Sequence, residues 1–131
     1  MTPPADRVIL CMKWGTLYPA DYVNVLYSAC RRNITGAFRF LCLTDDPTGF
    51  SPGIETRPIP DLGLTQSMWK SGAWAKLGVF GHDLYGFTGR ALFIDLDMVI
   101  CGSLDPFFNH PSPFLTTDMG PYRWSVRARG D

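Results

Sequence analysis

Two aspartates one residue apart, Asp95 and Asp97, close the apolar run Ala91-Leu92-Phe93-Ile94. In a strand, side chains two positions apart share a face, so the carboxylates converge while Leu96 packs the other way. Two hard oxygen ligands suit Mg2+ or Mn2+, which keep positions open for water and phosphate oxygens. At the carboxyl end of a strand in an α/β sheet, the pair falls where such sheets bind ligands. A metal held there acts as a Lewis acid on a departing diphosphate. Burial of the strand strengthens the expectation, because carboxylates are costly to bury without a cation. The plainer alternative is two strand-end acids that face water.

Other residues gather around this pair. Lys76 lies on a predicted helix, Met68 to Phe80, that also carries Trp69, Ala73 and Leu77 and precedes the Asp95 strand. Its plainer role is that of a solvated helical lysine. Lys13, Trp14 and Tyr18 follow the first predicted strand, where the chain turns over the sheet's binding edge. An aromatic there can stack on a nucleobase or simply fill a loop. Asp45 and Asp46 end the second strand beside the same edge, and with Pro47 they also spell an ordinary turn. His82 and His110 have no partners at ligand spacing. Cys11, Cys30, Cys42 and Cys101 form no C-x-x-C pair and are expected to be small buried hydrophobes in a reducing compartment.

The elements that must position these groups read as β-α-β. Val8-Ile9-Leu10-Cys11-Met12 is a continuous apolar run, the pattern of a strand buried on both faces. A helix over Asp21 to Arg32 shows Val23, Leu26, Tyr27 and Cys30 at helical spacing. Phe38 to Leu43 gives a second strand, Ile54 to Ile59 a short third, and Phe114 to Thr117 a possible last one. This predicts an α/β fold: a Rossmann-like, mostly parallel sheet with helices on both faces. The 131 residues fit one domain, with 12 Lys and Arg against 12 Asp and Glu and a charged fraction of 18%. A neutral chain has no electrostatic case for wrapping nucleic acid. No run reaches the length of a membrane span and no cleavage site follows the start, so a cytoplasmic location is expected.

The run Ala91 to Ile100, with Gly102, Leu104, Asp105 and Phe108 after it, resembles the D-x-D segment of GT-A sugar-nucleotide transferases, and most closely the glycogenin and lipopolysaccharide galactosyltransferase-like group. Lys76-Leu77 is similar to that group's helical Lys-Leu, and Tyr18 to the tyrosine that covers uracil. The likeness spans Val8 to Phe108. It implies a GT-A fold of the nucleotide-diphospho-sugar transferase type and a metal-dependent, retaining transfer of sugar from a UDP-sugar to a carbohydrate or glycolipid acceptor. Asp95 and Asp97 would ligate Mn2+ (or Mg2+), with Leu96 between them in the donor site. Lys76 would contact the donor phosphate or sugar, and Met12, Lys13 and Tyr18 would hold base and ribose.

The chain also departs from that pattern. Family members continue into an acceptor half and a late histidine that completes the metal shell, whereas here Gly120 to Asp131 shows no apolar period. The expectation is an incomplete donor-binding domain over 1–118, an irregular tail over 119–131, weak metal binding and poor turnover. One rival is a non-catalytic nucleotide-sugar-binding fragment. Another is a haloacid-dehalogenase-type phosphatase with Asp95 as nucleophile. That motif normally continues Gly-Thr, where this chain has Met98-Val99.

Overall fold

A computed structural model describes residues 6–70, 74–80 and 84–116. Four strands, β1 (Arg7–Lys13), β2 (Arg39–Thr44), β3 (Ile54–Arg57) and β4 (Arg90–Phe93), form one sheet in the order β3-β2-β1-β4. Every pairing is parallel. The chain belongs to the α/β class, as the alternation of apolar runs predicts. The order reverses at β1: the chain first steps outward to β2 and β3, then returns to place β4 on the other side.

The two central strands are buried along both faces, and their alternation divides the core in two. Ile9, Cys11, Phe40 and Cys42 face one side, where α1 (Ala20–Asn33) supplies Val23, Leu26 and Cys30. Those positions recur at helical spacing, so a single stripe of α1 covers the sheet. Asp21 in its first turn and Arg31 and Arg32 in its last complement the helix dipole.

 Two short helices follow later in the chain, α2 (Gln66–Lys70) and α3 (Asp105–Asn109). Phe108 of α3 joins the α1 side of the core, and Leu104 N donates to Asn33 O at 2.8 Å. Thr35 N donates to Asp105 Oδ1 at 2.9 Å, so α3 is strapped to the end of α1.

Val8, Leu10, Met12, Leu41 and Leu43 face the other side, against Trp69 of α2 and against Ala75 and Val79 of a 3-10 helix, Trp74–Phe80. The chain therefore covers one face on its way from β1 to β2 and the opposite face on its way from β3 to β4. No helix among the described residues is long and apolar enough to cross a membrane.

Four expectations need correction. Over the expected single helix, Met68 to Phe80, the described residues are the end of α2 and, from Trp74 to Phe80, a 3-10 helix instead of an α-helix. β4 is a half-buried strand at the edge of the described sheet, and it stops at Phe93, before the aspartates. Phe114 to Thr116 is not a strand, and Thr117 lies outside the described residues. Cys101 is exposed, unlike the other three cysteines, because the apolar run Met98 to Cys101 forms no element and leaves Met98 and Val99 in solvent. The predicted tail, 119–131, and His82 also lie outside the described residues.

Candidate functional site

The pairing of β1 with β4 ends at Leu10 and Phe93, whereas β1 runs on to Lys13 beside Thr44 of β2. A crevice therefore opens between the carboxyl ends of β1 and β4, the point at which the strand order reverses. In open α/β sheets this is the position at which ligands bind.

Past Phe93, Ile94 N donates to Leu10 O at 2.9 Å, which keeps the chain against β1 for one more residue. Asp95 to Met98 then forms a turn closed by Met98 N on Asp95 O at 3.1 Å. The D-x-D segment is thus a turn, not the end of a strand. Ile94 and Leu96 are buried on the α1 side of the core, as Leu96 was expected to be. Asp95 and Asp97 are exposed, so the expectation that burial demands a cation does not hold here. Asp95 meets the 3-10 helix instead: its Oδ1 accepts a hydrogen bond from Lys76 Nζ at 2.7 Å. Lys76 is therefore not a merely solvated lysine.

The opposite wall is the loop after β1. Gly15 takes a φ of 67°, a left-handed conformation that suits glycine. Its amide donates to Asp45 Oδ2 at 3.0 Å, and its carbonyl accepts from Lys13 Nζ at 3.5 Å. Asp45, which reads as turn residue or binding-edge residue, here holds the loop. Asp46 instead braces its own turn: the Thr48 hydroxyl and amide hold its carboxyl below the usual range, with a smaller contribution from the Lys13 charge. Lys13 is only 8% exposed, yet it makes no ion pair among the described residues.

These elements enclose a groove of about 480 Å³ lined by Met12, Lys13, Trp14, Gly15, Thr16, Leu17, Tyr18, Trp69, Lys76, Asp95, Leu96 and Asp97. All seven residues expected from the sequence to bind the donor (Met12, Lys13, Tyr18, Lys76, Asp95, Leu96 and Asp97) lie on this one surface. Trp69 joins them without having been expected there; its ring meets Trp14 edge-on at 6.0 Å between centroids. Its signal was an aromatic on the predicted helix, which serves a core equally well. Tyr18 packs against Tyr22 at 4.7 Å.

No family model, curated protein or solved structure matches this chain. What the groove can do is read from its own groups. Two carboxylates offer hard oxygen ligands, and two ammonium groups offer charge to an anion. The indoles and the phenol offer flat apolar surface. Among the described residues no cluster of three or more His, Cys, Asp or Glu side chains is placed to hold a metal. A cation at Asp95 and Asp97 would thus complete its shell with water or with oxygens of the ligand. That requirement fits Mg2+ or Mn2+.

Proposed function

We propose that this chain is the donor-binding part of a metal-dependent glycosyltransferase with a Rossmann-like GT-A fold. Its ligand on this reading is a nucleotide-diphosphate sugar, most simply a UDP-sugar, and its acceptor a carbohydrate or glycolipid. One observation carries the reading: carboxylates, ammonium groups and aromatic rings from four separate stretches of chain share the crevice at the reversal of strand order. The resemblance of the D-x-D segment supports it further and implies transfer with retention. A cytoplasmic location is part of the reading, supported by four free thiols.

On this reading Asp95 and Asp97 hold Mn2+ or Mg2+, and the ion neutralises charge on the departing diphosphate. Lys76 and Lys13 offer their ammonium groups to phosphate oxygens. Trp14, Tyr18 and Trp69 give the base an apolar face. Leu96 anchors the turn in the core, which fixes where the two flanking carboxylates emerge. Asp45 holds the loop that carries Trp14 through the Gly15 amide.

Calorimetric titration of UDP, UDP-glucose and UDP-galactose, with and without Mn2+, tests the reading. Binding should require Mn2+ and weaken at least about tenfold in Asp97→Ala. Absence of binding to a folded sample would overturn it. Binding without transfer to any acceptor would favour a non-catalytic nucleotide-sugar-binding protein.

A further inference from the structure

A divalent ion on Asp95 would face an ammonium group that already sits 2.7 Å from the same carboxylate. Such an ion binds carboxylate oxygen at about 2.0–2.2 Å, so two positive charges would compete for one anionic group across a few ångströms. Lys13 adds a second positive charge to the groove from a position 8% exposed. The two lysines and the two aspartates balance one another. A bare metal ion therefore makes the groove strongly positive, whereas an ion accompanied by a diphosphate leaves its balance nearly unchanged.

Resting on the donor-site reading above, we propose that Lys76 holds Asp95 against free metal ions and passes to the diphosphate when ion and ligand enter together. Lys76 is suited to such a transfer. Its side chain is 40% exposed and ends a flexible stem, and Asp95 is similarly open at 47%. A surface ion pair of this kind is worth little, so it yields readily to a phosphate that offers stronger charge-assisted hydrogen bonds. Lys13 is different: buried, and donating to the Gly15 carbonyl at 3.5 Å, it stays in place and keeps the groove selective for an anion-bearing partner. Metal and diphosphate then bind with positive coupling, each raising the other's affinity by the same factor.

The test is titration of Mn2+ alone into the full chain, followed by the electron paramagnetic resonance of the free ion, and repeated with UDP present. Wild type is compared with Lys76→Gln and Lys13→Met. Lys76→Gln should bind Mn2+ alone about three- to tenfold tighter than wild type, and UDP should improve its Mn2+ affinity less. Lys13→Met removes the same charge without touching Asp95 and should gain less. An equal gain in both variants would reduce Lys76 to a general field effect and overturn the transfer. So would wild-type binding of Mn2+ with UDP alongside no gain in Lys76→Gln. Failure of every form to bind Mn2+, even with UDP, would overturn the donor site itself. Circular dichroism of the Lys76 variant, altered at an exposed side chain, should match wild type.

Discussion

Arg39 opens β2 with its guanidinium held on two sides. Its Nε and Nη2 donate to the two oxygens of Glu55 at 2.9 and 2.6 Å, and its carbon centre lies 4.1 Å from the centroid of the Phe87 ring. The fork satisfies both carboxylate oxygens, and half-burial raises its value above that of a fully exposed pair, to about 1 kcal/mol. Hydrogen bonding to Arg39 holds the Glu55 carboxyl below its ordinary value of 4.5. A depressed folded-state value means that this stability is present above the unfolded value and is lost as pH falls through the folded one. Glu55→Gln should therefore be less stable than wild type at neutral pH and lose less stability on acidification from about pH 5 to about pH 3. Urea titrations of both proteins at several pH values check this. The pairing of Lys76 with Asp95 could not be read in the same way from the sequence. The two lie 19 residues apart, and Trp74–Phe80 winds as a 3-10 helix, tighter than the predicted α-helix, which changes the face on which Lys76 falls.

Gly89 sets the start of β4. Its φ is +90°, and an added Cβ would lie 2.2 Å from the Asp6 carbonyl oxygen, which itself accepts the Arg90 amide at 2.8 Å. Substitution by alanine must move backbone, in a conformation that costs a side chain about 1–3 kcal/mol before the clash is counted. Gly89→Ala should lower the thermal midpoint and also weaken ligand binding, because β4 carries the Asp95 turn; paired melting and calorimetry test both effects. The elements themselves were largely legible. The apolar runs of β1 and β2 and the helical stripe of α1 lie within a residue or two of their expected bounds. The D-x-D segment was misread because Ile94, Asp95, Leu96 and Asp97 alternate as a strand does. A period of two cannot tell a strand from a turn that buries the same alternate residues. Gly78 was equally silent: an added Cβ would lie 3.3 Å from the Pro60 ring, a close approach that joins residues far apart in the chain.

Across the whole molecule, the parallel sheet separates two cores, and the site lies at one end of the divide. The sequence pointed to that end through the residues after β1 and β4, but not to the reversal of strand order that brings them together, since strand order depends on which side of β1 the last crossover lands. The core on the α1 side contains Cys11, Cys30 and Cys42, all fully excluded from solvent, while Cys101 lies outside it. A hydrogen bond with Cys42 raises the Cys11 thiol well above its usual range, and burial pushes the Cys30 thiol up to about 11. The chain thus carries its own stopwatch. An aromatic disulfide reagent should consume one thiol at once and the remaining three slowly and together, at a rate set by how often the α1 face comes away from the sheet. Mn2+ with UDP at about a hundred times the dissociation constant should slow that second phase about a hundredfold if opening also disrupts the groove. Ligand binding at the carboxyl edge of the sheet would then be timed by sulfur atoms that never touch the ligand.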